Sequence, residues 1–206
     1  MRHPKRTERG FTLVEMLVVV AILFIAVMLS APYLSKQIQR SKLVGVAQQA
    51  SGLMRMARMD AIKTSRCSMV RINPEGGFIE ALSDRDGNCL PSAPDVRIGE
   101  GTLPNSVAFA SPCGTGAASV REFTGVAGSP SVAVFQSDGS ARHRGAFRFR
   151  AVEFGGAAPN YLEVFLSPPA TARIQVRKWK GPASGGDCDD DLLWHTNGEG
   201  GSWKWS

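Results

Sequence analysis

Gly10-Phe11-Thr12-Leu13-Val14-Glu15, with the apolar run that carries it on to Ala31, decides how the rest of the chain is read. Arg2, Lys5, Arg6 and Arg9 make a basic leader that ends at Gly10. From Phe11, about 21 almost wholly apolar residues follow, enough at ~1.5 Å of helical rise each to cross a ~30 Å hydrocarbon core. Glu15 is the one ionisable side chain in the run, close to its start, and Pro32 closes it. An ordinary signal peptide has an apolar core of roughly 7–15 residues and then a small-x-small cleavage site. Here Met28-Leu29-Ser30-Ala31 precedes Pro32, with Leu29 where a small residue is required. A plain signal anchor fits the length but leaves Glu15 unexplained. A carboxylate costs up to about 3 kcal/mol at a bilayer centre, less near an end, and marks a partner. Something cationic must meet it.

At these residues the chain resembles the type IV pilin superfamily, whose precursors carry a short basic leader, a Gly, Phe-Thr-Leu-x-Glu and an apolar helix. The resemblance implies that a prepilin peptidase cuts between Gly10 and Phe11 and that the new amine of Phe11 is methylated. Glu15, fifth in the processed chain, would then pair with the Phe11 amine of a neighbouring subunit during assembly. Opposite charges a few ångströms apart attract far more strongly in a low dielectric than in water. Pro32 stands where such helices usually break, so a kink is expected there.

The 206 residues suit one globular domain plus a long helix, and at 43% hydrophobic and 20% charged that domain can bury a core. Net charge is +6; without the four basic residues and Glu8 of the leader it is +3, too little to argue for nucleic acid by itself. The basic leader should stay cytoplasmic, which sends everything beyond Ala31 across the membrane. A single-pass inner-membrane protein with a periplasmic carboxy-terminal domain is expected. Cys67, Cys89, Cys113 and Cys188 would then lie in an oxidising space, and no C-x-x-C spacing suggests zinc. Disulfides are expected, with three connectivities open. Cys67–Cys89 with Cys113–Cys188 is favoured because the first pair flanks a short predicted hairpin.

Beyond Pro32 the pattern stays helical to about Thr64. Leu43, Val46/Ala47, Ala50, Leu53/Met54, Ala57 and Ala61 form one apolar stripe, while Gln37, Arg40, Gln48, Arg55 and Arg58 fall largely off it. Such a stripe packs on a sheet. Arg66–Asn73 alternates as a half-buried strand, Pro74-Glu75-Gly76-Gly77 is turn chemistry, and Phe78–Ser83 is the partner strand. Asp84-Arg85-Asp86-Gly87-Asn88 lacks the residue order of a calcium loop and is read as a turn. Short strands are expected at 96–98, 107–110, 120–124, 132–136, 145–153, 161–166 and 173–177. One long helix followed by short strands implies an α+β chain with antiparallel pairing. The expected divisions are a leader at 1–10, a membrane half-helix at 11–31, an amphipathic half-helix at 32–64, a β-rich domain at 65–180 and a tail at 181–206.

Met56-Ala-Arg-Met-Asp-Ala-Ile-Lys63, Val134-Phe-Gln-Ser-Asp-Gly139 and the 161–176 hairpin together resemble the GspH/FimT family of minor pseudopilins. That resemblance implies a structural subunit assembled with other pilins or pseudopilins on an inner-membrane platform, in a type II secretion pseudopilus or a type IV pilus. It also implies a place in the initiating or tip complex. Some FimT-type proteins bind DNA through a Gly-Arg-x-Arg segment. The corresponding place here, Ala172-Arg173-Ile174-Gln175, keeps only the first Arg, with Arg177, Lys178 and Lys180 just beyond and Trp179 among them. Phosphate contacts and base stacking are one reading of these residues; a charged edge strand that discourages aggregation is the other. In the tail, Asp187-Cys188-Asp189-Asp190-Asp191 reads as a solvated acidic loop rather than a cation site. Trp194, Trp203 and Trp205 read as a sticky tip or as a terminal strand tucked onto the sheet. No G-x-S-x-G elbow, H-E-x-x-H helix or phosphate loop occurs, and His143 and His195 have no evident nucleophile partner. An enzyme, a cofactor and a metal are therefore not expected.

Overall fold

Leu13–Thr64 forms a 52-residue α-helix (α1) that continues through Pro32, where a break was expected. The structure, a computed structural model, describes residues 11–113, 123, 132–152, 161–180 and 194–196. It divides into two compact units, Met1–Ile38 and Gln39–Ser206. In the first, the 18 residues Leu13–Ser30 are apolar and long enough to span a membrane, and none of that window is buried.

The second unit holds the remainder of α1 and nine short strands among its described residues: β1 (Ser68–Asn73), β2 (Phe78–Ser83), β3 (Val96–Thr102), β4 (Val107–Phe109), β5 (Val132–Phe135), β6 (Gly145–Ala151), β7 (Tyr161–Leu166), β8 (Ile174–Trp179) and β9 (Trp194–Thr196). They make two antiparallel sheets, ordered β3-β2-β1-β5 and β4-β6-β7-β8-β9. The strand expected at 96–98 extends to Thr102, because Gly99 and Gly101 continue the pairing with Ala81 and Ile79. The stretch 120–124 lies outside the described residues except for Phe123, which is buried against Phe147. β9 falls in the stretch set apart as a tail, and it pairs through Trp179↔Trp194 onto β8.

The helix stripe read from the periodicity is the buried one: Leu43, Val46, Ala47, Ala50, Leu53, Met54, Ala57 and Ala61 all lie in the main core. They meet alternate residues of both sheets, Val70, Ile72, Ile79, Ala81, Ala133 and Phe135 from one and Phe147, Phe149, Leu162, Val164 and Leu166 from the other. Period-two alternation explains the choice, since successive strand side chains point to opposite faces. Small residues let the backbones approach. A Cβ at Gly99 would stand 2.7 Å from Leu53 Cδ2, so only glycine fits there without a shift. At the far end of α1, Arg58 Nε donates to Gly139 O at 2.9 Å, and Ser68 Oγ donates to Asp60 Oδ2 at 2.6 Å, tying the helix to the β5 turn and to the start of β1.

Candidate functional site

The amino-terminal segment begins with a local device. Thr12 Oγ1 accepts the Glu15 N–H at 3.3 Å, and Thr12 O accepts the Met16 N–H at 3.2 Å. Thr12-x-x-Glu15 therefore starts α1 in the spacing of a capping box, and the carboxylate sits in the first turn, where the helix dipole favours negative charge. The sequence carried this signal in the Thr-x-x-Glu spacing, and reading Glu15 for a partner alone missed it. Phe11 is 71% exposed, and the large apolar side chains from Leu13 to Leu29 are likewise exposed among the described residues. Gly10 and the rest of the leader lie outside the described residues.

The basic residues around β8 do not form one patch. Alternation splits them: Ile174 and Val176 point to the main core, and Lys178, next in that series, stands half-buried beside Arg40 of α1. Burial lowers the Lys178 pKa, and the Arg40 guanidinium lowers it further. Arg177 is on the other face, 5% exposed, where its Nε donates to Glu163 Oε1 at 2.6 Å. Its Nη2 contacts the same oxygen. From the opposite side Arg148 Nε donates to Glu163 Oε2 at 3.2 Å. The three residues are in direct cross-strand register, Arg148↔Glu163↔Arg177.

Trp194 of β9 roofs this triad, 5.7 Å from the Arg177 guanidinium and 5.9 Å from that of Arg148, and it meets Trp179 edge-on at 4.9 Å. Desolvation pushes the Glu163 carboxyl up, with the two guanidiniums pulling against it. Of the residues considered for nucleic acid, Arg177 and Trp179 are thus enclosed in a packed cluster, whereas Arg173 and Lys180 are exposed on the surface. The order of the strands in the sheet produces this arrangement, which no linear spacing reveals.

Cys67 and Cys89 are bridged, with a Cα–Cα distance of 5.5 Å. Cys113 is disulfide-bonded as well; Cys188, expected as its partner, lies outside the described residues. The bridge packs with Met69, Leu82, Val132, Val134 and Leu90 on the face of the first sheet that turns away from α1. Asp84 organises the loop that follows β2. Its Oδ1 accepts the N–H groups of Asp86 (3.1 Å) and Gly87 (2.8 Å), and its Oδ2 accepts that of Cys89 (2.9 Å).

Asp95 closes the same loop by accepting the N–H groups of Arg85 and Ser92. The backbone amide of Asn88 is the largest influence lowering the pKa of Asp86. The carboxylates of Asp84, Asp86 and Asp95 lie within 4.8 Å of one another, but their oxygens are turned onto the loop's own amides, as a turn requires.

Residues 5–31 match the family model for the prokaryotic N-terminal methylation motif. No curated protein matches the chain. Among solved structures, the type IV minor pilin FimU of Pseudomonas aeruginosa strain PAO1 is similar at 14% identity and a TM-score of 0.42, over 70% of this chain and 91% of that one. A likeness that distant carries no residue-by-residue correspondence. The methylation motif thus heads a long helix that leads into two antiparallel β-sheets.

Proposed function

We propose that the protein is a minor pilin or pseudopilin, a structural subunit of the GspH/FimT kind that a prepilin peptidase cuts between Gly10 and Phe11. Its apolar half-helix then leaves the inner membrane by packing against those of other subunits, and its β domain selects neighbours in the periplasm. One observation carries the reading. Glu15 lies on an 18-residue apolar helix segment of which nothing is buried within the chain itself. An uncovered apolar rod is stable in lipid or against other rods, and a carboxylate on it is best tolerated where a cation meets it. The methylated amine of a neighbour's Phe11 is such a cation.

The test is Glu15→Ala in the full chain. The variant should be cut and methylated normally, as read by mass spectrometry of the mature amino terminus, yet fail to join sheared pili or pseudopili. Normal incorporation would remove the charge pair from the mechanism. A native chain still carrying its leader would remove the processing step.

A further inference from the structure

Where α1 ends, a half-open cleft of about 380 Å³ lies between the disulfide and the outer side of β5, lined by Ser65, Arg66, Asp84, Gln136, Ser137 and Arg142 among others. Three charged side chains reach it, and they are not equivalent. Asp84 is fully buried, and its carboxylate oxygens are taken up by three backbone N–H groups, so it stays inside the loop rather than pairing with the arginines. Arg66 is held by one bond, Nη1 to Arg85 O at 3.0 Å, which aims the guanidinium and leaves its other donors for a ligand. Arg142 is exposed, and its guanidinium makes no hydrogen bond or ion pair in the described structure. The backbone of Arg142 is nevertheless fixed, since its N–H donates to Val134 O at 2.9 Å. The carboxyl end of α1 contributes about half a negative charge, and with the buried Asp84 carboxylate the two guanidinium charges still leave a small positive excess, carried by the exposed Arg66 and Arg142.

The Gln136 amide and the Ser137 hydroxyl stand on the same wall and add neutral donors. A guanidinium pair with flanking neutral donors matches the planar, multiply accepting carboxylate. A cleft of this size takes a side chain or a short peptide turn, not an extended macromolecular groove.

We propose that this cleft receives an acidic side chain presented by a neighbouring subunit, and so serves as a lateral contact of the β domain distinct from the helix-borne Glu15 pair. The proposal rests on the filament-subunit reading for the source of the acid, while its chemistry can be measured without any filament. The experiment uses the full chain in detergent micelles with arginine side chains labelled for NMR. The probes are a blocked Gly-Glu-Glu-Gly peptide and its Gly-Gln-Gln-Gly isostere. The Nε–H signals of Arg66 and Arg142 should shift saturably with the acidic peptide, and salt should weaken the effect. The neutral peptide should bind about tenfold more weakly or worse.

Arg142→Gln should cost about tenfold in affinity for the acidic peptide. Its thermal midpoint should not change, because the side chain is exposed. Absence of shifts at both arginines, equal binding of the two peptides, or full affinity in Arg142→Gln would each overturn the proposal. None of those outcomes touches the Glu15→Ala result, and failure of that variant's prediction leaves the peptide titration intact.

Discussion

Arg177 and Glu163 stand opposite each other on β8 and β7, both essentially removed from solvent, with Nε 2.6 Å from Oε1. A buried ion pair of this kind is weak evidence for stability taken whole, yet removing one partner costs roughly 3–5 kcal/mol because the other is left uncompensated. Arg177→Met keeps the volume and deletes the charge, so Glu163 retains only Arg148. Burial already raises the Glu163 pKa, and losing a guanidinium that opposed this raises it further. A carboxyl whose folded pKa exceeds its unfolded value favours the fold below the unfolded value and loses that advantage as pH rises through the folded one. The deficit of Arg177→Met should therefore be small near about pH 4 and grow toward about pH 8, around the usual carboxyl range and above it. Urea denaturation midpoints across that range decide it, and a pH-independent deficit would show that Glu163 does not carry the effect.

The Cys67–Cys89 bridge closes a loop over a sequence separation of 22. Chain-entropy reasoning assigns a loop of that size about 3 kcal/mol. The double variant Cys67→Ser/Cys89→Ser should lower the unfolding free energy by about that amount under non-reducing conditions. Because the bridge covers the β1/β5 face away from α1, amide protection should fall first in Met69, Val132 and Val134. Uniform loss across both sheets would argue instead that the bridge holds the whole domain together.

Gly139 and Gly77 both have positive φ, +79° and +63°, and they differ in what surrounds them. A Cβ at Gly77 meets nothing within 4 Å, whereas at Gly139 it would lie 2.7 Å from Ile62 Cδ1. Gly77→Ala should cost about 1 kcal/mol for the left-handed backbone alone. Gly139→Ala should cost more than that, about 2 kcal/mol, and should weaken the Arg58–Gly139 bond that seats the end of α1. Paired chemical denaturation of the two variants gives the difference, and equal losses would remove the Ile62 contact from the explanation.

Asp84→Ala leaves the amides of Asp86, Gly87 and Cys89 without their acceptor. Hydrogen bonds to a charged group are worth about 1.5–3 kcal/mol each, and water recovers part of that in an exposed loop, so a loss of about 2–3 kcal/mol is expected. Hydrogen exchange at those three amides should accelerate well beyond the change seen in β6 and β7. If it does not, the loop's order comes from the disulfide rather than from Asp84.

What could be read in the linear chain was what depends on local periodicity or on a single short motif. Gly10-Phe11-Thr12-Leu13-Val14-Glu15 with its basic leader is such a motif. The stripe from Leu43 to Ala61 is such a periodicity, and it is the buried face of α1. Most strand positions among the described residues followed from alternation and turn residues for the same reason, whereas β3 ran on past the expected 96–98 and β9 arose in the stretch read as a tail.

Cross-strand partnership is different, because it depends on which strands end side by side. Nothing in the order of residues says that Arg148, Glu163 and Arg177 share one row, that Trp194 returns to cover them, or that Arg177 and Lys178 face opposite ways into different surroundings. The residues that looked like one basic stretch were divided by the pleat of β8, and burial then decided which charges are paired inside and which reach water. Only the tertiary structure could make that division, since burial and pairing are properties of neighbours in space.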